Sequence, residues 1–262
     1  ECSIHTGLAD TITTQTKGAP YSGNNIGTFH ITAFLNSDTS SPFIDKNLTS
    51  DGTAIGTGYY WPITTPESTI SFFGYGKNKT TGKLNISTPT PYVLGDNASH
   101  KGSFTYSLPD TLDSNEEHPD LVFAIAPNQN KGEDGVVPMK FYHALSSIVF
   151  TVGSVPEQIE IESVSFENIY GAGSCEYTYT ASGLSFNWTK TGEPKNYSET
   201  FEKEIGTDAS PAPTQINTAD QTFMMIPQTF TDGSSTLKVN ISFQTGSGES
   251  RMYPIDIDLH DI

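Results

Sequence analysis

The chain has 262 residues, and 30 Asp and Glu outweigh 13 Lys and Arg to give a formal net charge of -17. A surface this acidic repels phosphate backbones and anionic headgroups, which excludes nucleic acid and bare anionic membrane as partners. Only 16% of the residues are charged, against roughly a quarter in ordinary domains, and Ser, Thr, Asn and Gly fill their place, as in β-rich chains with many turns.

In chain order, the first clear strand carries Phe29, Ile31, Ala33 and Leu35 on one face. Residues 68–76 (STISFFGYG) and 120–126 (DLVFAIA) are short apolar runs suited to strands covered on both faces. Residues 145–152 (LSSIVFTV) read as another strand. Ile159 and Ile161, then Val164 and Phe166, alternate with one slip of phase, which a β-bulge near Ser163 explains. Cys175, Tyr177 and Tyr179 alternate with polar neighbours, and residues 190–220 read as a polar surface excursion with an edge strand at 199–205. Leu237, Val239, Ile241 and Phe243 give the cleanest alternation, and Ile255, Ile257 and Leu259 close the series.

Turn signals separate these runs at Asp51-Gly52, Thr81-Gly82, Asp232-Gly233 and Gly246-Ser247-Gly248. No segment keeps helical spacing for three turns, so the chain is expected to be all-β and built of sandwiches. The length suits two domains, with the seam at Gly153-Ser154-Val155-Pro156: an N-terminal sandwich over 1–154 and a C-terminal one over 155–262.

Few residues offer chemistry. Gly-x-Ser-x-Gly elbows, His-Glu-x-x-His helices and phosphate-binding loops are missing. His143 and Ser146 in FYHALSSIV are three apart, so a strand would place them on opposite faces, with no third group in view to orient the imidazole. Glu116 and Glu117 lie in a loop-like stretch, TLDSNEEHPD. Of Asp256, Asp258 and Asp261, the first two fall on the solvent face of the last strand, short of the oxygen ligands calcium needs. No catalytic residue, metal site or cofactor is therefore expected. Trp61 and Trp188 are read as core residues, with sugar-stacking platforms as the alternative.

Cys2 and Cys175 have no metal-knuckle spacing. They are either free or joined in a disulfide, which would close a long loop worth up to roughly 5 kcal/mol. Seven Asn-x-Ser/Thr sequons (Asn47, Asn78, Asn85, Asn97, Asn187, Asn196 and Asn240) are no more than an Asn- and Thr-rich chain produces. Asp10-Thr11-Ile12 and Asp110-Thr111-Leu112 match a bacterial O-glycan acceptor pattern, with ordinary loop threonines as the plainer reading. No apolar run is long enough for a membrane span, and the start at Glu1 suggests a processed chain.

Several strings become specific in combination: TGYYWP (57–62), STISFFGYG (68–76), DLVFAIAP (120–127), VVPMKFYHALSSIVFTV (136–152) and TFMMIPQTF (222–230) leading into LKVNISF. In this order the chain resembles the fimbrillin family of Bacteroidetes, the FimA/Mfa-like pilins and their minor subunits, over roughly residues 12–260. The resemblance implies two consecutive transthyretin-like Greek-key β-sandwich domains in an exported lipoprotein held at the outer membrane by a lipid anchor. It implies partners too: other fimbrial subunits, joined by strand exchange when proteolysis releases a first strand, and surface glycans or proteins bound in adhesion. On that pattern Lys17 sits at the processing site, residues 10–17 form the replaceable strand, and Cys2 lies near the lipid-bearing position. The ending DIDLHDI, with little sign of a donor extension, suggests either a sequence cut short or a tip or accessory subunit in place of a stalk subunit. The rival readings are a monomeric glycan-binding surface adhesin and, further off, a β-sandwich enzyme with two facing carboxylates.

Overall fold

A computed structural model describes residues 3–8, 26–36, 41–49, 55–62, 69–77, 85–86, 100–109, 119–132, 134–153, 155, 158–206, 214–218, 221–230, 233–244 and 250–261. Among them there is no α-helix. The strands are β1 (Ser3–Leu8), β2 (Thr28–Leu35), β3 (Ile44–Thr49), β4 (Ile55–Gly56), β5 (Ile70–Lys77), β6 (Asn85–Ile86), β7 (His100–Ser107), β8 (Leu121–Gln129) and β9 (Val136–His143). They continue with β10 (Ser146–Ile148), β11 (Thr151–Val152), β12 (Ile159–Ile169), β13 (Ala172–Thr180), β14 (Gly183–Thr191) and β15 (Lys195–Ile205). Last come β16 (Thr214–Gln215), β17 (Phe223–Met225), β18 (Thr236–Gln244) and β19 (Ser250–Asp258), ended by a 3-10 turn at Leu259–Asp261.

The first sheet has the order β3-β2-β5-β8-β9-β1-β4, antiparallel except where β1 runs parallel to β9. It curls on itself. Phe29 of β2 meets Phe141 of β9 edge to face at 5.5 Å with two strands between them. Beyond its edges, Lys46 Nζ of β3 donates to the Thr57 carbonyl just past β4 at 2.8 Å, and Phe43 packs on Tyr59. The roll encloses Ile26, Ile31, Ile44, Trp61, Phe72, Val122, Val137 and Met139. Gly76 lets β2 and β5 approach, since a Cβ there would lie 2.9 Å from the Phe29 Cβ.

The opposite face of β5 and β8 packs on a second sheet, β14-β13-β7-β6. Phe123 of β8 lies against Phe104, Tyr177 and Phe186 at ring distances of 5.4, 4.8 and 6.2 Å. Covered on both faces, β8 is buried from Leu121 to Ala126, as its unbroken apolar run suggested. The third sheet, β15-β12-β18-β19, is capped by the ribbons β10-β17 and β11-β16 through Phe166 on Phe223 at 5.0 Å and Phe150 on Phe201 at 5.9 Å. The molecule is thus an all-β assembly of packed sheets.

Strand pairing runs between the segments 1–154 and 155–262. Three of the five sheets among the described residues join strands from both sides: β7 with β13, β10 with β17 and β11 with β16. The first and third sheets alone fall wholly on one side each.

Two local expectations change. Residues 145–152 form two short strands with Val149 and Phe150 between them, because Phe150 turns inward to accept the packing of Phe166, Phe201 and Phe223. The stretch read as a surface excursion contains β15, eleven residues paired along β12 and facing the core with Tyr197, Glu199 and Phe201. A carboxylate at the middle inward position, only 1% exposed, hides the apolar period. The bulge expected near Ser163 is present, as a register shift between Ile161 and Ser163 against both neighbours.

Candidate assembly surface

On the third sheet the inward face of β12 carries Ile161, Val164 and Phe166, all buried. The register continues this face outward: Phe166 to Leu237 to Ile257, Val164 to Val239 to Ile255, and Ile161 to Ile241 to Tyr253. Cover thins along each row. Leu237 is buried, Val239 and Ile241 are half-buried, and Tyr253, Ile255 and Ile257 are 42, 44 and 37% exposed. Each is the kind of side chain that folding normally removes from water, at about 25 cal/mol per Å².

β19 is also the outermost strand of its sheet, so one side of its backbone meets no strand of this sheet. Pro254 sits mid-strand, which the ladder tolerates at an edge. The opposite face carries Met252, exposed, beside polar residues: Lys238 pairs across from Asp256 and donates to Glu167 at 2.7 Å. That hydrogen bond, aided by the Glu167 and Asp256 charges, raises the Lys238 ammonium above its ordinary value. The two-faced edge is what the alternation of 236–244 and 250–258 encodes. In the first sheet, β1 lies between β9 and the short β4.

The structure disperses the residues singled out for chemistry. His143 ends β9 and Ser146 opens β10, where it pairs with Met225; no hydrogen bond joins them. His143 does have an orienting group: its Nδ1 lies 2.6 Å from the Asp120 carboxylate, and both side chains are buried. Burial pulls the imidazole down, but the hydrogen bond and charge of Asp120 outweigh it and leave the group above its ordinary value. Sequence distance hid this partner, since it takes the β8–β9 register, Val122 opposite His143, to bring Asp120 alongside. The pair closes the β8–β9 end where Ala144 N donates to the Leu121 carbonyl and Trp188 Nε1 to the Ala144 carbonyl.

Asp256 and Asp258 lie on β19, and Asp258 Oδ1 accepts the His260 amide. Among the described residues no group of three or more His, Cys, Asp or Glu could hold a metal ion. Trp61 is buried, with Nε1 donating to the Gly135 carbonyl, and Trp188 is half-buried, so neither offers a free platform. Cys175 is a free, buried thiol pushed up to about 12 by burial. Glu116, Glu117, Cys2, residues 10–17 including Lys17, and both acceptor-like threonines, Thr11 and Thr111, lie outside the described residues.

Packed β-sheets around aromatic cores, with a half-covered apolar edge strand, define an all-β protein of packed sheets. The chain belongs to the fimbrillin-like family, whose model matches residues 13–260, and membership makes it a fimbrial or adhesin-like surface protein. No curated protein matches the chain. Among solved structures, a candidate cell adhesion protein from Parabacteroides distasonis is 10% identical, with a TM-score of 0.44 over 97% of this chain and 78% of that one. A candidate adhesin from Bacteroides ovatus is 11% identical, with a TM-score of 0.34 over 97% of this chain and 81% of that one.

Proposed function

We propose that the protein is a fimbrial subunit that joins its neighbours by β-strand addition and serves adhesion, at a tip or accessory position. It performs no catalysis in this reading. The observation that carries it is β19, an edge strand whose inward row Tyr253, Ile255 and Ile257 remains about two-fifths exposed, although Tyr253 stacks on Phe243. A strand laid along that edge would gain backbone hydrogen bonds on one side and apolar burial over the row, the two sources of affinity in β-augmentation. A long apolar edge left open invites aggregation unless a partner covers it.

Strand β1 supports the same reading. Its removal would uncover β9 on one side and β4 on the other, a second acceptor groove. Processing at Lys17, lipid attachment near Cys2, export through the periplasm and anchoring at the outer membrane complete the proposal.

The test replaces Ile255 and Ile257 together by Asp in the full-length exported protein. The wild type is expected to give a detergent-resistant ladder of oligomers on a gel, and the double variant to lose it while keeping the monomer's circular dichroism. An unchanged ladder overturns strand addition at β19.

A further inference from the structure

We infer that the strand accepted by the β19 edge is apolar on one face and carries Lys or Arg on the other, and that it is not a second copy of β19. The inference rests on strand addition at β19, proposed above, and adds the chemistry of the partner.

The backbone fixes what this edge offers. Leu259 N donates to the Ser235 carbonyl at 3.0 Å, in register with the pairs Asp258–Thr236 and Ile257–Leu237. Bonded and non-bonded pairs alternate along an antiparallel ladder. Ile257, Ile255 and Tyr253 therefore turn their backbone to β18, and Asp256, Pro254 and Met252 turn theirs to the open side. Met252 and Asp256 each offer a donor and a carbonyl there, whereas Pro254 offers a carbonyl only. The other edge of the sheet, β15, is interrupted: Glu202 takes a φ of 47° where the register shifts, and Lys203 and Glu204 follow it. A bulge with charged side chains blunts an edge against pairing. β19 keeps its register with β18 without a shift from end to end.

The side chains then select the occupant. Residues directly opposite in an antiparallel pair share a face. Partner positions opposite Tyr253, Ile255 and Ile257 meet a row about two-fifths exposed, where Val or Ile would complete the cover. Tyr253 is already stacked on Phe243 at 5.0 Å, so that end of the row is ordered before a partner arrives. Partner positions opposite Asp256 and Asp258 meet carboxylates. Lys238 lies across from Asp256 but donates to Glu167 at 2.7 Å, so one ammonium serves two carboxylates and negative charge is left over. A Lys or Arg there gains a cross-strand ion pair, and a Glu is repelled. Antiparallel pairing of two β19 edges would gather Asp256 and Asp258 of both copies on one face, between chains of net charge -17 each. Pro and charge on an edge discourage self-pairing. Here the same residues favour a basic strand over an acidic one.

The test uses peptides of nine residues, the length of β19. One alternates Val with Lys, one alternates Val with Glu, and one scrambles the Val/Lys composition. Binding to the full chain is read by fluorescence anisotropy at about 0.15 M salt, where long-range attraction is screened. Alternating Val/Lys is expected to bind about tenfold tighter than either of the others. Asp256→Lys should erase or invert the preference for Lys over Glu with unchanged circular dichroism, and Asp256→Asn, which keeps the shape, should narrow it. Pro254→Val restores an outward N–H and should tighten Val/Lys binding several-fold. The proposal is overturned if Val/Lys binds no better than Val/Glu or than its scramble, if both Asp256 variants keep the full preference, or if Pro254→Val leaves affinity unchanged. It is overturned too if the bare chain self-associates through this edge, lost in Ile255→Asp/Ile257→Asp and not competed by Val/Lys, since a second copy is then the occupant. If the wild type binds Val/Lys and Val/Glu alike and the Ile255→Asp/Ile257→Asp variant binds neither, strand addition at β19 stands and the charge selection alone falls.

Discussion

The rolled first sheet and the β18–β19 edge are built from the same alternating pattern and end in opposite states. In the roll, curvature brings Phe29 to Phe141 and closes the edges through Lys46 and Thr57, so the inward residues of β2, β5, β8 and β9 find cover. In the third sheet the ribbons β10-β17 and β11-β16 cover β15 and β12, and the row Tyr253, Ile255 and Ile257 is left about two-fifths exposed. An alternating strand therefore specifies which face wants burial and leaves open whether the chain supplies the cover itself. The difference can be tested by substitutions of decreasing expected effect.

The largest effect belongs to the shared core. Phe123 is fully buried and touches three aromatic rings from the second sheet. Phe123→Ala should cost about 3–5 kcal/mol in urea unfolding, because the surrounding strands cannot collapse into the space. A loss below about 1.5 kcal/mol would mean that the two sheets are not packed through this ring. Next comes Asp120→Asn, which leaves His143 without its charged partner and should cost about 2 kcal/mol near neutral pH. The pH dependence has a definite sign. His143 is raised in the folded state, so its contribution is fully present below the unfolded value near 6.5 and is lost as pH climbs through the folded value. The stability gap between wild type and His143→Gln should therefore shrink on going from pH 6 to pH 9. A gap that widens instead would show the imidazole to be held neutral.

Smaller again is Gly76→Ala, whose new Cβ would meet the Phe29 Cβ and backbone between β2 and β5. Overpacking a sheet pair in this way costs typically about 1–3 kcal/mol. It should appear as a lower urea midpoint with an unchanged slope, since the roll loosens without losing its core.

How much of this was legible varies by residue. β2, β5, β8, β13 and β18 announce themselves because apolar period two, or an unbroken apolar run, survives wherever side chains pack on cover. The Ser163 bulge was legible as a phase slip. β15 was not read at full length, because Glu199 stands where an apolar residue would have completed Tyr197 and Phe201. The break at Val149–Phe150 depends on rings from three other elements, which no local window contains. The His143–Asp120 pair depends on register between two strands. Period locates a face; only packing decides what meets it.

The smallest expected effect bears most directly on the comparison. Ile255→Thr and Ile257→Thr keep β-branching and strand propensity while removing apolar surface from a row that is already about two-fifths exposed. In the monomer each is only partly covered, so each should cost no more than about 1 kcal/mol. The same exchange at Ile31 or Val122, fully buried in the roll, would place a hydroxyl against hydrocarbon and cost about 1–3 kcal/mol. Apolar-dye fluorescence of the native monomer should fall for the β19 variants and stay level for any roll variant that still folds. If Ile255→Thr instead costs more than about 1.5 kcal/mol in a protein shown to be monomeric by sedimentation, the row is covered within its own chain. The two regions would then be alike, and the edge could not serve as an acceptor.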